Sequence, residues 1–356
     1  MKVALLGLTH PHAGILLATL DHLPEISAIC LWDSDAAGAA AQALPASRKV
    51  VQITADLAAV LAQTDLVFAL VCVPTDQAAE LARRVLAAGK HLLAEKPVGL
   101  TAAEISELER IAAAAGLIAS VLYPRRFHPC MVEARRWIQS GALGTLLSVE
   151  ARWITTQVRF RNPDSWLFRR SQAGGGILLW LGCHCLDLIH HVTGDEIVAV
   201  GAQFATRSGE AIDVEDTAAL SFRLRSGAVG TFLAGYTLAY GGEGYLNRAG
   251  NDSYLGVNCQ HGRVVWPDLN PRLSIESPPS DGRAAVREES FALAPSPAYG
   301  GPAGEAFFRQ FIAAVSGRGL PPTSLADAVR TARIVEAAER SSRTGQFIPL
   351  DAANSR

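Results

Sequence analysis

A lysine and a histidine are, by type and setting, the residues of this sequence best suited to exchanging protons. Lys96 stands in Glu95-Lys96-Pro97, directly after the apolar run His91–Ala94. If that run is a parallel strand, its carboxyl end faces the crevice where ligands bind, and an ammonium there can hydrogen-bond a carbinol oxygen. A surface salt bridge is the plainer use of the same residue. His184 lies in Cys183-His184-Cys185, with Asp187 and His191 three and seven residues on. On a helix these three share a face and have metal-ligand chemistry. The alternative is simpler, because His190-His191 can end the helix near its negative pole, and no metal is expected.

A third constellation suits a nucleotide. Leu6-Gly7-Leu8-Thr9-His10-Pro11-His12-Ala13-Gly14 falls where a first strand turns into a helix, the setting in which backbone amides and a helix N-terminus hold a pyrophosphate. Gly7 supplies the tight turn, but Thr9 and His12 occupy the second and third positions of the usual glycine fingerprint. Asp33 closes the second strand 26 residues after Gly7, near the spacing at which a carboxylate accepts hydrogen bonds from an adenosine ribose. A carboxylate there would repel a 2′-phosphate, so NAD is expected over NADP. Asp33 could also cap the helix that follows it, in Asp33-Ser34-Asp35.

The elements that must position these groups follow from periodicity. Up to residue 122, short apolar runs (Val3–Leu6, Ile26–Leu31, Val50–Ile53, Leu66–Val73, His91–Ala94, Leu117–Leu122) alternate with helical patterns, which predicts parallel βαβ units. The clearest helix opens at Thr101 with the capping box Thr101-Ala102-Ala103-Glu104. After Tyr123-Pro124 the texture changes. A helix at about 129–140 is followed by strands at Leu146–Ile154, Ile197–Phe204, Thr217–Phe222 and Val229–Tyr236, with a helix from about Ile177 to Val192 among them. Strands without intervening helices imply a largely antiparallel sheet. Two further helices, near Glu305–Val315 and Leu325–Ser341, close the chain, and Gly241–Asn251, Ser277–Ser280 and Pro295–Pro302 read as loops. The fold class is therefore α/β, with domains at 1–122 and 123–356.

Composition narrows the function classes. The 356 residues are 49% hydrophobic, enough for a sizeable core, and 32 basic against 34 acidic residues leave no nucleic-acid footprint. We read no signal peptide and no membrane span, and six scattered cysteines suggest reduced thiols in a cytoplasm.

The runs Leu66-Val67-Phe68-Ala69-Leu70-Val71-Cys72-Val73-Pro74-Thr75 and Ala87-Ala88-Gly89-Lys90-His91-Leu92-Leu93-Ala94-Glu95-Lys96-Pro97 resemble the signature of the Gfo/Idh/MocA oxidoreductases, the glucose–fructose oxidoreductase and inositol dehydrogenase family. The resemblance continues through Tyr123-Pro124-Arg125-Arg126-Phe127-His128-Pro129, Gly174-Gly175-Gly176 and Gly182-Cys183-His184-Cys185-Leu186-Asp187. It implies an N-terminal Rossmann domain and a C-terminal α/β domain with a largely antiparallel open sheet, which often makes dimer or tetramer contacts. It also implies a substrate cleft between the two domains. NAD would be bound by Gly7, Leu8, Thr9, His10, Asp33, Val73, Pro74, Thr75, Glu95 and Lys96. His184 would serve as base or donor with Asp187 orienting it. Arg126, Trp153, Trp166, Trp180 and Asp187 would contact substrate, with Arg161, Arg169 and Arg170 as further candidates. Where relatives carry an aspartate one turn before the histidine, this chain has Trp180, which could pack in the core or stack on a sugar ring. Ala78 stands where many relatives place a cofactor-contacting histidine. The implied activity is hydride transfer between NAD and a secondary alcohol or ketone of a sugar, polyol or cyclitol. The alternatives are transient oxidation by tightly held NAD, or a non-catalytic sensor of NAD or sugar.

Overall fold

The computed structural model describes residues 1–8, 10–43, 47–239, 250–268, 270–278 and 285–350. The chain forms two compact units, Met1–Pro124 with Ala294–Arg330, and Arg125–Leu293 with Thr331–Arg356. A single boundary after residue 122 therefore needs correction. The chain crosses near the expected place, but Ala294–Arg330 returns to the first unit, and the Pro- and Ser-rich stretch at that point marks only a loop.

In the first unit the strands are β1 (Lys2–Leu6), β2 (Ala28–Trp32), β3 (Val50–Thr54), β4 (Leu66–Val71), β5 (His91–Ala94) and β6 (Ala119–Val121). Between them run α1 (Ala13–His22), α2 (Ala36–Ala43), α3 (Leu57–Leu61), α4 (Thr75–Ala87) and α5 (Ala102–Ala114). All the strands are parallel, in the order β3-β2-β1-β4-β5-β6. Parallel strands are covered on both faces, which is why Val3 to Leu6 and Phe68 to Leu70 are wholly buried. The order reverses between β1 and β4, and in such a sheet ligands bind beyond the carboxyl ends at the reversal. Helix α5 begins as its capping box requires, with the Glu104 amide donating to Thr101 Oγ1 at 3.2 Å and the Thr101 amide to Glu104 Oε2 at 3.3 Å. Gly7 has φ +98°, and a Cβ there would stand 2.3 Å from Val73 Cγ1, so only glycine lets β1 turn this tightly against the end of β4.

The second unit is built on a nine-stranded sheet. Its strands are β7 (Leu146–Thr156), β8 (Ile197–Ala205), β9 (Thr217–Leu224), β10 (Val229–Leu238), β11 (Asn251–Cys259), β12 (Gly262–Trp266), β13 (Arg272–Ser277), β14 (Ala285–Ser290) and β15 (Ile348–Pro349). The order is β14-β13-β12-β11-β7-β10-β9-β8-β15, antiparallel except for the β7–β10 pair. Helix α6 (Pro129–Gln139), the single turn α7 (Arg170–Ala173), a π-helical turn at Leu178–Gly182 and helix α8 (Cys183–Thr193) lie within the stretch of chain from Pro129 to Thr193. The stretch 170–193 is long and apolar enough to cross a membrane, but its apolar window is 83% buried within the protein and serves as core. In the first unit α9 (Gly301–Val315) brings Phe311 edge-on to Phe68, ring centroids 5.1 Å apart. Helix α10 (Leu325–Thr344) then runs through the last crossing between the units.

Three expectations about irregular chain change. The loops at Gly241–Asn251 and Ser277–Ser280 lie mostly outside the described residues, but Asn251 opens β11 and Ser277 closes β13. Pro302 belongs to the first turn of α9, where a proline's missing N–H costs nothing.

Candidate active site

At the carboxyl end of β5, Glu95 and Lys96 are buried, with the lysine only 1% exposed. Lys96 Nζ stands 3.9 Å from Glu95 Oε1. The same oxygen makes a short hydrogen bond with His12 Nδ1, from the turn between β1 and α1. The His12 amide donates to His10 Nδ1 at 3.1 Å, and the ring of Tyr299 lies 4.9 Å from that of His12. Burial lowers the pKa of both histidines, that of His10 the further, so the rings are neutral. Donor atoms of His10, His12 and Glu95 all lie within 4.8 Å of one another, a cluster that could hold a cation and that spacing along the sequence does not reveal. The neighbouring Lys96 ammonium opposes that use.

Asp33 is buried at the end of β2, and its Oδ2 accepts from the Leu8 amide at 2.7 Å while Oδ1 accepts from the Asp35 amide at 3.0 Å. Asp33 thus braces the first turn. The capping contact is made by Asp35, which accepts from the Gly38 amide at 3.0 Å. Val73 packs where a Cβ on Gly7 would be, Pro74 is the N-cap of α4, and Thr75 begins it, buried. Thr9 lies outside the described residues.

These residues fit a dinucleotide. Helix α1 has no side-chain cap and no acidic residue in its first turn, so its terminal amides and positive dipole end suit an anion. A Cβ on Gly14 would meet nothing within 4 Å, leaving room at that end. Glu95 Oε2 is buried without a donor among the described residues, although buried carboxylate oxygens normally have one.

In the second unit His184 occupies the first turn of α8, 2% exposed, with its ring centroid 6.4 Å from that of Trp153 on β7. The guanidinium of Arg125 also lies over the Trp153 ring, 4.0 Å from its centroid. The regular helix expected from Ile177 is interrupted by the π-turn at Leu178–Gly182, where a Cβ on Gly182 would press on Leu178 and Phe232. Such turns recur at functional sites. Upstream, Glu215 accepts from the Gly176 amide at 2.8 Å and the Leu178 amide at 3.2 Å. A Cβ on Gly176 would fall 1.9 Å from the Glu215 carbonyl oxygen, so that glycine permits the approach.

Several residues expected at substrate have other contacts. Asp187, expected to orient His184, forms a two-bond ion pair with Arg126, Nε to Oδ2 at 2.9 Å. Trp180 is buried in the core and meets Trp166 edge-on, centroids 5.9 Å apart. Arg161 donates to Thr155 Oγ1 at 3.0 Å, Arg169 to the Ala211 carbonyl at 2.7 Å, and Arg170 to Glu339 at 2.7 Å. Tyr299, Arg125 and Glu215 carry no sequence signal that singles them out. Tyr299 sits in a Pro- and Ser-rich stretch, where nothing local points to a site. His12 does carry a signal, since it displaces a fingerprint glycine.

Comparison with known proteins places this geometry. Levoglucosan dehydrogenase of Pseudarthrobacter phenanthrenivorans (strain DSM 18606 / JCM 16027 / LMG 23796 / Sphe3) is 26% identical over 238 residues, covering 60% of this chain and 58% of that protein. The chain thus matches less than two thirds of that relative's length. Inositol 2-dehydrogenase of Rhizobium meliloti (strain 1021) is 28% identical over 255 residues, 70% of this chain and 71% of that protein. A solved structure of levoglucosan dehydrogenase in complex with NADH and levoglucosan shares the fold, with TM-score 0.83 at 22% identity over 99% of both chains. Residues 1–123 match the profile of an oxidoreductase family with an NAD-binding Rossmann fold, and residues 131–265 match the GFO/IDH/MocA C-terminal domain. With both domains of one family matched in order, the chain belongs to the Gfo/Idh/MocA oxidoreductases.

Proposed function

We propose that this protein transfers a hydride between NAD(H) and a secondary alcohol or ketone of a sugar, polyol or cyclitol. The observation that carries the reading is Lys96, a buried ammonium at the end of β5 beside the fingerprint turn, in a chain of this family. When bound, the nicotinamide supplies the hydride acceptor or donor. Lys96 donates a hydrogen bond to the carbinol oxygen and stabilises negative charge on it, while His184 takes the hydroxyl proton in oxidation and returns it in reduction. Burial of both groups excludes water that would weaken those interactions. Trp153 offers the substrate an apolar wall next to His184. Asp33 favours NAD, because a 2′-phosphate would face its carboxylate.

The open face of the second sheet, with Glu150, Ser221, Arg223 and Thr231 turned outward, is the surface we assign to a homo-oligomer. Six buried cysteines outside any disulfide favour a reducing, cytoplasmic setting.

The test is NAD reduction, followed by near-ultraviolet absorbance of the reduced cofactor, across a panel of myo-inositol, levoglucosan and D-glucose. Absorbance growth with one of them is expected. Product formation without net reduction would instead support transient oxidation, and NAD binding without any turnover would support a sensor.

A further inference from the structure

We propose that His12 is a positioning residue for Lys96 and acts through the carboxylate of Glu95; the inference rests on the role given to Lys96 above. Three buried groups form a chain, His12 Nδ1 on Glu95 Oε1 and Lys96 Nζ 3.9 Å from that oxygen. That separation exceeds the roughly 2.7–3.2 Å of a hydrogen bond. A buried ammonium and a carboxylate attract strongly, since little solvent screens them. The His12 bond fixes where the Glu95 oxygen nearest the ammonium stands.

The imidazole is itself held. Its amide donates to His10 Nδ1 and its ring lies against Tyr299, which the return segment delivers and whose amide donates to Thr19 Oγ1 at 2.8 Å. Charged and titratable groups that sense Lys96 are His10 and His12 from the β1–α1 turn, Cys72 from the end of β4 and Glu95 from the end of β5, with Tyr299 of the return segment against His12. A neutral His12 that donates its Nδ1–H adds no second charge. Glu95 thus compensates Lys96 electrostatically from a position that His12 fixes. A cation on His10, His12 and Glu95 would have to displace the His12–Glu95 bond and sit beside Lys96.

The test is a cycle of His12→Leu, Glu95→Gln and their double variant, with His12→Gln as the conservative control. All are assayed with NAD and whichever of myo-inositol, levoglucosan and D-glucose the wild type turns over fastest. His12→Leu should lower kcat about 10–100-fold with polyol KM within about 2-fold, because it acts on the reacting group rather than on substrate binding. His12→Gln keeps an N–H donor and should stay within about 5-fold of wild type, and His12→Leu added to Glu95→Gln should change kcat less than about 2-fold. If His12→Leu does not fold, as judged by circular dichroism, His12→Ala replaces it, because it removes the Nδ1–H donor to Oε1. Equal losses in both backgrounds, a Gln variant as damaged as the Leu variant, or stoichiometric metal whose removal reproduces the loss would overturn the inference. Lys96→Ala separates the two levels. Near-wild-type turnover in Lys96→Ala, or no turnover of the panel by the wild type, overturns the proposed function and this inference with it. Lost turnover in Lys96→Ala beside additive His12 and Glu95 effects overturns this inference alone.

Discussion

Lys96 and His184 are both almost wholly buried, but their surroundings solve that problem in opposite ways. Beside Lys96 stands the Glu95 carboxylate, itself bonded to His12, so the charge is compensated within a polar network. The Trp153 ring lies near His184, and in the same helix burial pushes the Cys185 thiol up to about 12, which keeps it a neutral packing group. Substitutions in the first setting should change chemistry and leave a buried polar partner unsatisfied. In the second they should change packing first. A buried polar network is costly when half satisfied, whereas an apolar wall fails mainly through lost volume.

The largest effects should be kinetic. Lys96→Ala and His184→Ala should each lower kcat by roughly 10²–10⁴, with the double variant falling well short of the product of the two losses. Steady-state rates on the responsive polyol measure this. Full multiplicativity would mean that the two groups act on separate steps.

Next come losses of stability confined to the second unit. Trp180→Ala should cost about 3–5 kcal/mol in urea unfolding, and Trp180→Phe clearly less, because the indole fills core beside Trp166. Full stability of Trp180→Ala with a raised KM would return Trp180 to the substrate. Asp187→Asn, which leaves Arg126 without its charged partner, should cost up to about 3–5 kcal/mol, and Arg126→Met with Asp187→Leu should be milder than either single change.

A smaller effect is expected at the nucleotide end. Asp33→Ala should narrow the preference for NAD over NADP, each tenfold change corresponding to about 1.4 kcal/mol. Unchanged affinities in calorimetric titration would leave Asp33 with only its bracing of Leu8.

The smallest concerns pH. Burial, helped by Arg125, lowers the pKa of His128 to about 4 from its usual 6.5, and His128 Nδ1 accepts from the Cys130 amide at the start of α6. Since the folded state resists the proton, stability from this group is complete above about pH 6.5 and declines as pH falls toward 4, by at most about 1.4 kcal/mol per unit. His128→Asn, a cap that does not titrate, should flatten that decline in denaturant midpoints between pH 7 and 4. An identical slope in wild type and variant would assign the acid sensitivity elsewhere.

Much of the first unit was legible because its signals are local. Apolar runs of strand length, the Thr101–Glu104 capping box and the glycine at position 7 each dictate a conformation within a few residues. The second unit was legible only in its first four strands. Strands β11 to β14 were missed because Asn251–Cys259 carries Asn, Asp and Gly, and β14 reads Ala-Val-Arg-Glu-Glu-Ser. They are strands because neighbours supply their hydrogen bonds, β7 pairing along nearly all of β11. The π-turn before His184 was likewise hidden, since a regular helix fits Ile177 to Val192 equally well by periodicity.

By itself the sequence determined that a lysine would end a parallel strand next to a nucleotide-binding turn, because strand, turn and helix signals there need no distant partner. It equally determined that a histidine would ride a buried helix. What only the tertiary structure decided was which groups those two would meet. Glu95 acquires His12 from 83 residues away, Asp187 turns to Arg126 across 61, and Tyr299 reaches α1 across 280. The physical reason is common to all three. A buried charge or polar group takes whatever partner the packed chain delivers, and that delivery depends on how helices and sheet fit together rather than on spacing along the sequence.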